Sequence, residues 1–368
     1  MAEDEIPILP LDLEPSLEGW DTTCIHKTTW QTPQARYSDL QPIGVGAFGT
    51  VCSAYDLKEN RRVAIKKMIE PFGSKDHAKR AFREMHLLNH CNHENIVGLL
   101  DIFYSPCSSP DKNFDVYLVM QMMSSDLHSL LKNQALGDEH IQFFVYQVFR
   151  GLKYIHSAKI VHRDLKPNNI AVNENSELRI LDFGLAREKD EAMTGYIATR
   201  WYRAPEVMLS WTEYDDKVDV WGVGCVMAEM LTRRPLFPGV DHVNLLGLML
   251  ELLGTPNEEY LNQITSESAR NFIRTLPVHN RKQFQVYFNG ANPDAIDLLE
   301  KILIFDPNKR ISVEDALAHP YLTKYADPTD EPIGPIYIDP TKDADLNLEE
   351  WRKMIFKFIE NFKPIDRL

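Results

Sequence analysis

Val161-His162-Arg163-Asp164-Leu165-Lys166-Pro167-Asn168-Asn169, with Asp182-Phe183-Gly184 thirteen residues after Asn169, is the stretch that decides how this chain is read. The apolar segments Ile170-Ala171-Val172 and Leu178 to Leu181 predict strands between the two polar clusters. Two carboxylates, an amide and an ammonium would then project from loops held on a rigid frame, which is how an active site is built.

Upstream, Asp138 to Ser157 repeats apolar residues (Ile141, Phe144, Val145, Val148, Leu152, Ile155) every three or four positions and predicts a long supporting helix. A shorter helix precedes it near Asp126 to Asn133. Downstream, Val218 to Leu231 is apolar almost all round, as a helix buried in the centre of a helical region would be. Toward the amino terminus the period changes to two. Leu40 and Ile43 lead into Gly44-Val45-Gly46-Ala47-Phe48-Gly49, and Thr50 to Tyr55 alternates up to a turn at Lys58-Glu59-Asn60. A G-x-G-x-x-G string that opened a helix would suit a dinucleotide. Here β-branched and aromatic residues follow, so the glycines join antiparallel strands and can lie over phosphates as a flap. The next strand, Val63-Ala64-Ile65-Lys66, ends in a lysine suited to phosphate.

Ser74 or Asp76 caps a helix to about Asn89, burying Ala78, Ala81, Phe82, Met85 and Leu88. Arg80, Arg83, Glu84 and Leu87 share an adjoining face, from which Glu84 can point toward the lysine strand. His86 and His90, at i and i+4, raise a metal hypothesis with His93, against which His90-Cys91-Asn92-His93 has the character of a helix end and loop. Leu99 to Tyr104 and Val116 to Met120 complete a small, mostly antiparallel sheet. Gln121 to Ser125 breaks the pattern and is read as a hinge.

The bulk properties exclude several classes. The chain has 368 residues, 44% hydrophobic and 26% charged, with no apolar run long enough for a bilayer. Five scattered cysteines without a C-x-x-C pair argue against a disulfide framework or zinc ribbon. A net charge of -14 disfavours nucleic acid and favours basic partners or solubility alone. Residues 1 to 21 carry seven acidic side chains and no basic one, the mark of a flexible acidic extension.

In order and spacing, G-V-G-A-F-G-T-V, V-A-I-K, H-R-D-L-K-P-N-N, D-F-G and A-P-E resemble the protein kinase signature set. Thr194-Gly195-Tyr196, between D-F-G and A-P-E, is similar to the dual phosphorylation lip of mitogen-activated protein kinases, the glycine marking the stress-activated class. The resemblance covers about residues 27 to 362. It implies an α+β, bilobal kinase fold: a small, mainly antiparallel β lobe with one helix, and a larger, mainly α-helical lobe. The implied organisation is an acidic extension at 1–26, an N-terminal lobe at 27–120, a hinge at 121–125 and a C-terminal lobe at 126–325. The last contains the lip at 182–206 and a helical insert at about 239–290. An acidic docking tail and a terminal helix packing on the first lobe occupy 326–368.

The resemblance also implies the roles. Asp164 orients and deprotonates a substrate hydroxyl, Lys166 reaches the γ-phosphate, and Lys66, paired with Glu84, holds the α- and β-phosphates. Asn169 and Asp182 are the Mg²⁺ ligands. ATP is bound by Ile43, Gly44, Val45, Gly46, Ala47, Phe48, Gly49, Thr50, Val51, Ala64 and Lys66, with Met120 and Met123 beside the adenine. A phosphate on Thr194 is received by Arg80, Arg83, Arg163 and Arg187, and one on Tyr196 by Arg200 and Arg203, shaping a pocket for proline after the target residue. Asp327, Asp330 and Glu331, with Leu130 and Gln134 beside them, form a docking patch for basic segments of substrates and phosphatases. The supplementary acidic pair appears as Glu174-Asn175, one charge short. A cytoplasmic and nuclear monomer, activated by an upstream mitogen-activated protein kinase kinase and touching neither membrane nor nucleic acid, completes the expectation. Two other classes compete with this reading. A pseudokinase would have lost Lys66, Asp164 or Asp182, and a dinucleotide enzyme would need a helix after the glycines.

Overall fold

A computed structural model describes residues 19–46, 49–106, 114–188, 200–209 and 215–365, the side chains of Arg187 and Glu188 excepted. The chain divides into two compact units: Met1–Asn89, Gly98–Met122 and Ala344–Asp366 form the first, and His90–Val97, Met123–Asp343 and Arg367–Leu368 the second.

The first unit opens with a hairpin of β1 (Trp20–Ile25) and β2 (Thr28–Pro33). A sheet of β3 (Tyr37–Gly46), β4 (Gly49–Asp56), β5 (Arg61–Met68), β6 (Leu99–Tyr104) and β7 (Val116–Gln121) follows in the order β3-β4-β5-β7-β6, with α1 (Lys75–His90) between β5 and β6. All its pairings are antiparallel. Alternation along β4 and β5 sends Cys52, Ala54, Val63 and Ile65 to a core shared with Trp30, Tyr37, Tyr117 and Val119.

The hairpin corrects the acidic extension, which was expected to run to residue 26. Its turn, His26-Lys27, has φ of 50° and 62°, the left-handed pair of a two-residue hairpin turn, but without the glycine or asparagine that usually signals one. The four residues of β1 between Trp20 and Ile25 are all exposed, so no apolar alternation betrays it either. What holds the hairpin is β2: Trp30 is fully buried against Tyr117, and the Gln31 N–H donates to Tyr117 Oη at 3.0 Å. Lys67 Nζ bonds the Thr29 carbonyl and pairs with Asp115.

The second unit begins with β8 (Ser125–Asp126), α2 (Leu127–Asn133) and α3 (Asp138–Ser157). The short strands β9 (Ile160–Val161), β10 (Ile170–Val172), β11 (Leu178–Ile180) and β12 (Arg187–Glu188) follow; β10 lies between β11 and β8, and β12 pairs with β9. The helices are α4 (Pro205–Leu209), α5 (Lys217–Thr232), α6 (His242–Leu253), α7 (Glu258–Leu261), α8 (Glu267–Thr275), α9 (Phe284–Tyr287), α10 (Pro293–Ile302) and α11 (Val313–Leu317). Every residue of α5 from Val218 to Met230 is buried, so its position is fixed on all sides. Gly224 permits this, since a Cβ there would meet Ile302 Cγ2 at 2.5 Å.

The last helix, α12 (Leu348–Glu360), returns to the first unit. A complete capping box starts it, with Asn347 and Glu350 satisfying each other's backbone N–H groups. Trp351 and Phe358 lie against Phe82 of α1, and Phe356 against Tyr104 and Phe114. Trp30→Ala is expected to cost about 3–5 kcal/mol, seen as a lower denaturation midpoint, with amide protection lost first across residues 20–33.

Candidate active site

The loop after β9 is fixed from below by one carboxylate. Asp219, fully buried on α5, accepts the His162 N–H at 2.8 Å, the Arg163 N–H at 2.7 Å and His156 Nε2 at 2.9 Å. Burial alone would raise its pKa, but His156, His162 and the Arg163 N–H outweigh this and hold it below the ordinary aspartate value. Arg163 has φ +72°, a conformation costing a non-glycine residue of order 1–3 kcal/mol, and the bond to Asp219 helps hold it there. Gly222, one turn along α5, lets the loop come close: a Cβ would lie 3.0 Å from Leu165 Cβ.

His162 carries the constraint to the reacting groups. Its Nδ1 accepts the Asp164 N–H at 3.3 Å, its Nε2 donates to the Leu181 carbonyl at 2.8 Å, and its ring meets Phe183 edge-on. Both bonds that the Asp164 carboxylate accepts from the described residues, from Lys166 Nζ at 2.6 Å and Asn169 Nδ2 at 2.8 Å, fall on Oδ2. Oδ1 is left for a proton donor.

Asn169 and Asp182 are brought together by a hairpin, which explains their spacing. The residues between them form β10 and β11, with Ile170 opposite Ile180 and the Leu181 N–H donating to the Asn169 carbonyl at 2.8 Å. Both Asn169 Nδ2 hydrogen bonds go to Asp164, one to its carbonyl, so Oδ1 of the amide is the atom left for a cation. Asp182 has φ +62°, and its Oδ1 accepts the Gly184 N–H at 3.2 Å. A hard divalent ion fits this oxygen donor set.

The first unit supplies a separate group. Lys66 Nζ lies 2.5 Å from Glu84 Oε1, both side chains nearly buried, as the facing of β5 and α1 requires. Gly46 pairs with Gly49 at the tip of β3 and β4, while Ala47 and Phe48 fall outside the described residues. A Cβ on Gly44 would meet nothing and one on Gly46 only Gly49, whereas one on Gly49 would lie 2.8 Å from the Lys67 carbonyl. Gly44 and Gly46 thus leave open space, and Gly49 is needed for packing. Ile43 and Val45 are exposed, Thr50 is buried, and Val51, Ala64, Met120 and Met123 are half-buried. Met120 belongs to the first unit and Met123 to the second.

Thr194 and Tyr196 lie outside the described residues, as does the side chain of Arg187. Of the arginines expected around them, Arg83 is buried on α1, Arg80 is half-buried, and Arg163 Nη1 donates to the Leu185 carbonyl at 3.2 Å. Arg200-Trp201-Tyr202 is clamped through the Val240 carbonyl, the Gly239 carbonyl and Glu229 Oε2 respectively. Burial, then Arg200 and Arg203, lower the pKa of His242.

Among the docking residues, Asp327 and Asp330 are exposed. Asp330 is held 2.9 Å from Arg150, and Asp327 accepts the Thr329 N–H and hydroxyl. Glu331 is a correction: its side chain is buried and paired with Lys153 at 2.9 Å, so it is not presented to a partner. Leu130 is half-buried and Gln134 exposed, at the end of α2. The histidine metal hypothesis finds no support: among the described residues, no three or more His, Cys, Asp and Glu side chains come together as an ion site. His93 is instead pushed down to about 3 by burial and by Arg150 and Arg179, with Nδ1 accepting the Asn95 N–H.

Two residues of this support carried no role in the sequence reading. Asp219 had one signal, an acid within a stretch, Val218 to Leu231, that is otherwise apolar but for Glu229. Glu206 of Ala204-Pro205-Glu206 makes a buried bidentate pair with Arg310, at 2.7 and 3.1 Å, and Arg310 also lies over the Trp221 ring. Arg310→Ala is expected to destabilise the fold by about 3–5 kcal/mol in chemical denaturation, because Glu206 would remain buried without its cation.

The protein kinase domain profile matches residues 37–322. The chain is 55% identical over 342 residues to mitogen-activated protein kinase p38b of Drosophila melanogaster, spanning 92% of this chain and 93% of the relative. It is 55% identical to p38a of the same organism over the same length and shares. With mitogen-activated protein kinase 14 of Xenopus laevis it shares 54% over 340 residues, 92% of this chain and 94% of the relative.

Proposed function

The chain belongs to the protein kinases, among the p38 mitogen-activated protein kinases, and is a serine/threonine kinase of stress signalling; from that premise we propose that it transfers the ATP γ-phosphate to Ser/Thr-Pro sites once Thr194 and Tyr196 are phosphorylated by an upstream dual-specificity kinase. The observation that carries the proposal is the convergence of Lys166 and Asn169 on Asp164 Oδ2, which leaves Oδ1 to orient the target hydroxyl and take its proton.

Phosphoryl transfer calls for positioning and charge neutralisation, because negative charge spreads over the transferring oxygens. Asp164 aims the hydroxyl oxygen at the γ-phosphorus; as that bond forms, the bond to the β–γ bridging oxygen breaks and ADP leaves. Lys166 places positive charge on the moving group. Lys66, kept in place by Glu84, binds the α- and β-phosphates. Asn169 and Asp182 would hold Mg²⁺, which supplies charge neutralisation on the phosphates when bound.

Activation follows from charge. A phosphate on Thr194 adds about -1.5 to -2 charge and three acceptors, for which Arg80, Arg83, Arg163 and Arg187 are the cations. A phosphate on Tyr196 pairs with Arg200 and Arg203 and orders the segment that selects proline. Basic docking segments of partners bind Asp327 and Asp330 beside Leu130 and Gln134.

Labelled-ATP transfer to a Ser/Thr-Pro peptide tests this reading. Doubly phosphorylated protein is expected to be active and Asp164→Asn to fall by about 10²–10⁴-fold in kcat. Turnover by Thr194→Ala/Tyr196→Phe equal to that of the phosphorylated protein would refute the activation step. Wild-type turnover by Asp164→Asn would refute the assignment of the base.

A further inference from the structure

The turn that closes the β10–β11 hairpin has no part in the reading above. Asn173 commits both of its backbone groups to that turn: its N–H donates to the Glu177 carbonyl at 2.9 Å and its carbonyl accepts the Ser176 N–H at 3.0 Å. Its side chain reaches the other way. Oδ1 accepts the Ser124 N–H at 3.0 Å and the Ser124 hydroxyl at 3.4 Å, while Nδ2 donates to Glu177 Oε2 at 3.2 Å. Because a backbone N–H can only donate, the amide oxygen is the atom that faces Ser124. Register explains the contact. Ala171 pairs with Asp126 and Val172 with Ser125, so Asn173 falls opposite Ser124, and its carboxamide supplies the next rung of the β8–β10 ladder in place of a backbone carbonyl.

The consequence lies in the Met123–Ser124 peptide. It is trans, so its N–H and C=O point in opposite directions, and an N–H held by Asn173 turns the Met123 carbonyl away from Asn173. Ser124 is exposed and Met123 half-buried, so burial does little to fix this peptide. Beyond it the chain is fixed by β8 and by Asp126, whose carboxylate takes the Ser129 N–H at 2.9 Å and hydroxyl at 2.7 Å. One three-stranded sheet of the second unit, in the order β11-β10-β8, thus carries the cation ligands and the segment assigned to the adenine. Asn169 precedes β10 and Asp182 follows β11 at one end, whereas Met123 and Ser124 precede β8 at the other. Four residues of mostly extended chain, about 13 Å, separate Asn169 from Asn173.

We propose that Asn173 is a positioning residue for the nucleotide: its carboxamide sets the orientation of the Met123–Ser124 peptide, and through it the place of the adenine relative to Asn169 and Asp182. The inference rests on the reading above that puts Met123 beside the adenine. Its effect falls on binding of the base and not on the transfer step, because Asp164 takes its place from His162 and from the bonds of Lys166 and Asn169.

Calorimetric titration of the full chain with adenosine, and steady-state kinetics of the lip-phosphorylated chain on a Ser/Thr-Pro peptide, test it with three variants. Asn173→Leu removes both side-chain bonds, Glu177→Ala removes only the one within the turn, and Asn173→Asp/Glu177→Gln keeps an acceptor for Ser124 while restoring a donor to the turn. Asn173→Leu is expected to weaken adenosine binding and raise the KM for ATP by about fivefold, with kcat changed by less than about twofold. The other two variants are expected to stay within about twofold of wild type in all three quantities. Unchanged adenosine affinity and ATP KM in Asn173→Leu overturn the proposal, and so does an equal loss in Glu177→Ala, which would place the effect in the turn, or in the exchanged pair, which keeps the acceptor. If the wild-type chain transfers no phosphate to the peptide, the proposed reaction fails, while the adenosine affinities uphold or overturn the role of Asn173 by the same criteria. Failure of the wild-type chain to bind adenosine overturns the place given to Met123 and this proposal together.

Discussion

A carboxylate buried in the first turn of α5 sets the geometry on which the chemistry depends. Burying Asp219 costs free energy that only hydrogen bonds can offset, and two backbone N–H groups plus His156 offset it. In return the loop acquires a fixed backbone, including Arg163 in a left-handed conformation that a free loop would leave. His162 passes this order to Asp164 through Nδ1 and to the Asp182 segment through the Leu181 carbonyl. The anchor is stiff because α5 is buried on every side and Gly224 and Gly222 let its neighbours approach without a gap. Asp164 and the Asp182 segment therefore inherit their positions from the core.

Arg163 links the buried Asp219 to the segment that follows Asp182-Phe183-Gly184. Its backbone belongs to Asp219, while its guanidinium reaches the Leu185 carbonyl, just past Asp-Phe-Gly. On the proposed reading a lip phosphate draws on that guanidinium without disturbing the backbone, so the chemistry is preset and its access is conditional. The acidic tail is similarly divided. Glu331 is drawn inward by Lys153, Asp330 is shared with Arg150, and only Asp327 is taken up solely by its own turn.

Elements with strong local patterns were legible in the sequence. The helix from Asp138 to Ser157 matched to the residue, the antiparallel glycine hairpin was recognisable from its period of two, and the buried α5 from a run apolar almost all round. Three features were not legible, each for a physical reason. The first hairpin turns at His26-Lys27 without a turn residue, and its outer strand faces solvent. Asp219 and Arg310 act across 56 and 104 residues of sequence, so no local spacing reveals their partners. Glu331 looks like its acidic neighbours until packing shows which way it points.

The most direct measurement is the turnover of Asp219→Asn after lip phosphorylation, with ATP affinity followed in parallel to report an intact fold. The amide is nearly isosteric but sets an N–H₂ group against a backbone N–H. A fall in kcat of about 10²-fold, with ATP affinity changed by less than about threefold, is the result this account predicts. Wild-type kcat in the folded variant would contradict it, because the catalytic loop would then hold its geometry without the carboxylate beneath it.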